Sequence, residues 1–106
     1  MHKVLKKKCR QNLIVHPCLG RVDGDKNFGD SYTLRCFAEP KIQIIRNMEG
    51  EEVVSDTTIF LDGVLFSQIK SDDEIELDLL GRREIHNLQV FPALKGDGYD
   101  HLEVYV

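Results

Sequence analysis

The chain lacks what builds a membrane protein, a disulfide scaffold or a familiar catalytic site. No apolar run in its 106 residues approaches the ~18 that a spanning helix needs. Cys9, Cys18 and Cys36 are its three cysteines, an odd number that closes no disulfide framework, and none forms a C-x-x-C pair. A zinc set of Cys9, His16, Cys18 and Cys36 can be drawn, but its spacing matches no common zinc pattern. Reduced, partly buried thiols are the simpler expectation.

Catalytic signatures are missing too. There is no G-x-S-x-G, no Walker-type loop, no H-E-x-x-H and no dinucleotide fingerprint. "DGDKNFGD" comes nearest to a metal motif. Asp23, Asp25 and Asn27 take the first, third and fifth places of a calcium loop, but Phe28 and Leu34 stand where it needs Gly and Glu. A solvated turn explains it better. His86 and His101 fall on the more polar faces of predicted strands and read as surface histidines. The expectation is a non-enzyme with no cofactor and no metal.

What is present is a soluble β pattern. Hydrophobic content is 42% and charged content 30%, which places the chain among globular proteins. Its length suits one domain, 1–106, of modest stability. The net charge of −4 is uneven: residues 1–26 carry seven Lys/Arg and two Asp (+5), residues 27–106 seven Lys/Arg and sixteen Asp/Glu (−9). The basic arm 1–11, with Lys3, Lys6, Lys7, Lys8 and Arg10, suits nucleic acid or an acidic protein partner; the plain alternative is a solvated, frayed terminus. "NLIV" (12–15), just after it, is too short for a signal-peptide core, so a cytoplasmic location is expected.

Period-two alternation runs through "NLIVHP" (12–17), "SYTLRCFA" (31–38), "KIQIIR" (41–46), "EVVSDTTIFL" (52–61), "DEIELDL" (73–79), "EIHNLQVF" (84–91) and "HLEVYV" (101–106). Tyr32, Leu34, Cys36 and Ala38 share one face. Val53, Thr57, Ile59 and Leu61 share another, as do Ile75, Leu77 and Leu79, and Leu102, Val104 and Val106. Pro40 predicts an edge or bulge, and the phase change between Ile85 and Leu88 predicts a second bulge. "VLFSQIKS" (64–71) reads as a short helical turn or an apolar loop, and 22–31 and 95–100 read as loops. Hairpins are expected between 41–46 and 52–61, and between 73–79 and 84–91. The fold class is therefore all-β: a small β-barrel or sandwich of six to seven short antiparallel strands with long loops and at most a short helical turn. The acidic outer face of "SDDEIELD" is a solvated strand face or a wall that repels passing DNA. Aromatic and basic residues are not interleaved along the chain as an oligonucleotide platform would need.

From residue 31 onward the order of features carries a resemblance. An E-V-V-S-x-x-T strand (Glu52, Val53, Val54, Ser55, Thr58) is followed by a D-x-I strand (Asp73, Ile75). A G-[KR]-x-x-I piece (Gly81, Arg82, Ile85) follows, and then the ending H-x-E-V-Y-[LV] (His101, Glu103, Val104, Tyr105, Val106). This series resembles the small head-completion proteins of tailed bacteriophages and prophages, also called head-closure, stopper, head-tail connector or minor capsid proteins. The resemblance implies a structural ring subunit between the portal or adaptor connector protein and the tail protein. It would be homo-oligomeric in the particle, compatible with a monomer alone, and would help retain packaged DNA that passes it. The implied location is the bacterial host cytoplasm during assembly, then the virion head-tail interface, with no membrane contact. A channel-facing hairpin tip is implied at Arg46, Asn47, Met48, Glu49, Gly50, Glu51 and Glu52. Two alternatives stay open: a tail-completion or tail-terminator ring protein, whose sequences usually carry more helix, and a small nucleic-acid-binding β module gripping through "KKKCR".

Overall fold

Nine strands, one short helix and a 3₁₀ turn make up the computed structural model, which describes residues 3–78, 80–94, 96 and 98–106, with side chains described from Lys6 onward. They are α1 (Lys3–Lys8), β1 (Gln11–His16), β2 (Cys18–Val22), β3 (Asp25–Phe28), β4 (Tyr32–Arg46), β5 (Glu52–Asp62), the turn Gly63–Leu65, β6 (Glu74–Leu77), β7 (Gly81–Glu84), β8 (Asn87–Pro92) and β9 (Tyr99–Tyr105). The all-β class holds. Seven strands form an antiparallel sheet of order β7-β6-β1-β4-β5-β9-β8, and β2 and β3 form a small second sheet. No helix among the described residues is long and apolar enough to cross a membrane.

The sheet is rolled but open. β7 and β8 lie at its two ends, yet only Ile85 and His86 separate them in the chain. That connection is possible only if the sheet curls back on itself. Among the described residues no strand pairing joins β7 to β8, so the seam stays unladdered and the closed-barrel expectation is corrected. β4 makes the turn from one half to the other: 32–36 pair with β1, and 37–46 pair with β5. Pro40 lies past the last β1-paired residue, where β4 has one neighbour, and the register slips between Pro40 and Gln43 as a bulge. At 15 and 11 residues, β4 and β5 exceed the short strands expected.

Alternation places the core. Leu13 and Val15 (β1), Leu34 and Cys36 (β4), Ile59 and Leu61 (β5), Ile75 and Leu77 (β6), and Leu102, Val104 and Val106 at the chain end pack together. Ile69 and Ile85 join them from connections. Leu79, also assigned to a core face from the sequence, lies outside the described residues, as do Lys95 and Asp97 of the 95–100 loop.

Three expectations change. The strand after the "LLG" turn is the short β7, which pairs with β6; the chain then leaves that edge and β8 pairs with β9 at the other. The phase change after Ile85 is therefore a jump between sheet edges and not a bulge in one strand. The loop at 22–31 is in large part the β2–β3 hairpin, turning at Asp23 (φ 52°) and Gly24 (φ 86°). Both residues in the left-handed region is what a two-residue hairpin turn with right-handed strand twist requires. Finally, the basic arm holds a six-residue helix beyond the helical content expected.

Candidate interaction sites: the β4–β5 tip and the docked arm

The tip between β4 and β5 is built by one asparagine. Asn47 Oδ1 accepts from the backbone N–H groups of Glu49 (3.1 Å) and Glu51 (2.9 Å). Its own N–H donates to Glu51 O at 2.9 Å, and Gly50 N donates to Asn47 O at 3.1 Å. Arg46 closes the base, donating to Gly50 O at 2.7 Å and lying 3.9 Å from Glu52. Gly50 takes φ 83°, which an L side chain resists. These bonds hold the turn in one shape, with Met48, Glu49, Gly50, Glu51 and Glu52 exposed.

Below the tip the two strands form a ribbon with different faces. Gln43 pairs with Ser55 and Ile45 with Val53 on the more covered face, and Ser55 is fully buried. Ile44 pairs with Val54 on the other, with Ile42 beside them; these are 71%, 61% and 82% exposed. The inner face lies toward the open seam. Asn87 Nδ2, at the start of β8, donates to Arg46 O at 2.8 Å, and Arg83 of β7 donates twice to Asp56 of β5. The ribbon thus braces the gap between the two sheet edges and leaves an apolar stripe in water.

From Lys6 to Arg10 the arm is docked against the sheet. Lys6 Nζ lies 3.5 Å from Asp62, Lys8 Nζ stands 5.6 Å from the centre of the Phe37 ring, and Arg35 donates to Arg10 O at 2.9 Å. Arg10 Nε donates to Lys7 O, which caps the helix end. Lys7, Lys8 and Arg10 have no acidic partner among the described residues. The side chain of Lys3, also assigned to the arm site, lies outside the described residues.

Lys8 heads a column of rings that strand pairing alone assembles. Phe37 stacks on Phe60 across β4 and β5 (5.8 Å), Phe60 lies 6.2 Å from His101 of β9, and His101 stacks on Phe91 of β8 (4.6 Å, 6°). One cation and four rings scattered in sequence are thus brought together, with Lys8 at one end and no Lys or Arg side chain interleaved between the phenylalanines. His101 is also bound at both ends, to Asp100 at 2.6 Å and Glu103 at 3.0 Å. The hydrogen bond from His101 holds the Asp100 carboxyl below its ordinary value. Tyr105 OH donates to Glu103 at 3.2 Å, and burial, then that carboxylate, push the phenol up to about 12. His101 is therefore a half-buried structural element of β9, more engaged than the surface histidine expected.

The pieces that carry the resemblance meet in space. Ser55 Oγ donates to Val106 O (2.9 Å), Asp56 N donates to the same oxygen (3.0 Å), and Val106 N donates to Thr57 O (3.1 Å). Thr58 pairs with Tyr105, whose carbonyl accepts from His86 N at 2.8 Å. Arg82 donates to Glu74 at 2.6 Å and stacks over Phe28. Asp73 is fully buried; it accepts from Cys18 N at 2.9 Å and Lys70 N at 2.8 Å, clipping the loop before β6 to β2.

Other candidates are drawn into local structure. His16 is taken up by Glu76 (2.9 Å), and Cys18 Sγ faces Gly20 O. Burial, with Cys9 nearby, pushes Cys36 up to about 12, so it is a protonated core thiol at neutral pH. Among the described residues no three His, Cys, Asp or Glu converge as a metal site. On the acidic β6 face, Glu74 is paired to Arg82, which offsets one charge of any DNA-repelling wall, and Glu76 is hydrogen-bonded to His16. No family model, curated protein or solved structure matches the chain significantly.

Proposed function

We propose that the chain is a structural subunit of the head-completion, or stopper, class: a ring protein seated between a portal or adaptor and a tail, helping to keep packaged DNA in place. The observation that carries this reading is that two of the resembling pieces join in one clasp, where Ser55 and Asp56 of the E-V-V-S strand bond to Val106 of the H-x-E-V-Y-V ending. Segments 46 residues or more apart in the chain, from Ser55 to His101, act as one structural unit, so they are better read as one fold signature than as separate chance matches.

Two further features suit the role. The tip at 46–52 is shaped by Asn47 and presents Glu49, Glu51 and Glu52, carboxylates that repel DNA phosphate and would line a channel without gripping it. A modest domain also gains stability from neighbours that bind only its folded form. Particles assembled without this protein test the reading. DNA-filled heads that leak support head closure. Intact filled heads with defective tails favour the tail-completion alternative, and particles unaffected by its loss overturn both.

A further inference from the structure

Asp-Gly occurs three times in the chain, at 23–24, 62–63 and 97–98, and Asp97 lies outside the described residues. The fold treats the other two in opposite ways. Asp23 and Gly24 form the exposed turn of the β2–β3 hairpin, with φ of 52° and 86°. That hairpin is a sheet of its own, since β2 and β3 pair only with each other. Its base is tied down: Gly29 N donates to Pro17 O, Cys18 N to Asp73, and Lys26 Nζ to Asp72 O. Its tip is held only from within, where Arg21 donates to Gly24 O at 2.9 Å. Among the described residues no donor meets the Asp23 carboxylate. A two-stranded ribbon is marginally stable by itself, so this tip opens at little cost while the large sheet stays folded.

Asp62 and Gly63 stand at the end of β5, inside the seven-stranded sheet. Asp62 Oδ1 accepts from Val64 N at 3.3 Å, and Lys6 Nζ lies 3.5 Å from Oδ2. Asp62 pairs with His101 of β9, and Gly63 is buried so close to Tyr99 O that a Cβ would have no room. The carboxylate and the peptide that follows it are both pinned.

We propose that Asp23–Gly24 is a site of spontaneous backbone isomerisation in the folded protein, and that the fold closes Asp62–Gly63 to the same reaction. Glycine favours the step because no side chain shields its nitrogen. A bond forms between Gly24 N and Asp23 Cγ. The Cγ–OH bond of the protonated carboxyl breaks, and the hydroxyl leaves as water with the amide proton. The product is a five-membered cyclic imide. Water then opens it at either carbonyl. Opening at Cγ returns aspartate. Opening at the main-chain carbonyl gives isoaspartate, in which the backbone runs through the former side chain. Mass and charge are unchanged, and no oxidant or cofactor enters. The extra methylene breaks the two-residue turn, so the pairing of Val22 with Asp25 is lost. The change stays local, because no residue of β2 or β3 belongs to the main core cluster. None of this rests on the phage reading.

Ageing the full chain at neutral pH, once folded and once in urea, tests it. Trypsin leaves Asp23, Asp62 and Asp97 in separate peptides. An isoaspartate-specific carboxyl methyltransferase detects the product, and electron-transfer fragmentation locates it. The folded chain should accumulate isoaspartate at Asp23. At Asp62 the folded chain should form it at least about tenfold more slowly than the chain in urea. Asp23→Glu, which would need a larger ring, should lose the signal from its peptide. The aged chain should still melt cooperatively. An Asp23 that reacts in urea and not in the folded chain would overturn the proposal. So would an Asp62 that reacts as fast folded as in urea, a signal that survives Asp23→Glu, or an aged chain that has lost its cooperative transition.

Discussion

Arg83 in edge strand β7 donates through both terminal guanidinium nitrogens to the carboxylate of Asp56 in β5, each at 3.2 Å, beside a seam where no backbone ladder joins β7 to β8 among the described residues. The hydrogen bonds from Arg83, then from Thr57, hold the Asp56 carboxyl below its ordinary value. A depressed carboxyl contributes stability above its unfolded value, about 4, and loses it as pH falls through the folded one. Both side chains are more than a third exposed, so the pair contributes about 0.5–1 kcal/mol. Urea unfolding of Arg83→Met and wild type should therefore differ modestly at neutral pH, and the gap should close in acid. A gap that widens in acid contradicts the assignment.

Ser55 is fully buried, and its hydroxyl donates to Val106 O at 2.9 Å, locking β5 to the end of β9. Ser55→Ala should cost about 1 kcal/mol through this hydrogen bond. Leu102→Ala, which empties a fully buried core position, should cost about 2–5 kcal/mol. Deleting 101–106 removes β9 residues that pair with both β5 and β8, and should abolish the cooperative unfolding transition. A truncated chain that still melts cooperatively would refute this placement.

Asp73 clips the loop before β6 by accepting from two backbone N–H groups in a site closed to water. Asp73→Ala leaves Cys18 N and Lys70 N without that acceptor and should cost about 2–3 kcal/mol in denaturant melts. Asp73→Asn keeps one acceptor oxygen and should cost less. Equal losses would mean that the carboxylate's hydrogen bonds are not what holds the loop.

Tyr105 titrates late, at about 12, because burial and the Glu103 carboxylate oppose phenolate formation. A raised phenol stabilises the fold fully below its unfolded value, near 10, and this is lost as pH rises through the folded one. Burial, then Asp73, also raise the Tyr32 phenol, so phenolate absorbance should show a late step, coupled to alkaline unfolding, whose amplitude Tyr105→Phe reduces. A late step undiminished in Tyr105→Phe assigns it elsewhere.

The strands that could be read from the sequence are those with one wet face. β6 alternates Glu74, Ile75, Glu76, Leu77, and β9 alternates His101, Leu102, Glu103, Val104, so the period itself names the buried side. Pro40 marked its bulge because proline removes a ladder donor. The β2–β3 hairpin was legible in principle, since Asp-Gly between two short runs is a strong turn signal; the surrounding Asp, Asn and Gly made it look like a loop. What local pattern could not carry was pairing at a distance. Nothing near Ile85 says that β8 joins the opposite edge of the sheet, and Phe37, Phe60, Phe91 and His101 become a column only through register. The hairpin between 41–46 and 52–61, which carries the tip, was legible from its two alternating runs. The exposed stripe was not, because Ile42, Ile44 and Val54 look like core residues until β4 is seen to outrun its neighbour β1.

Cryo-electron microscopy of DNA-filled particles encoding this chain tests the central claim most directly. The account predicts a ring of density between the portal and the tail that accepts the seven-stranded rolled sheet, with the 46–52 tips and the ribbons in ordered positions. Filled particles in which that junction is complete and the protein is absent would contradict it.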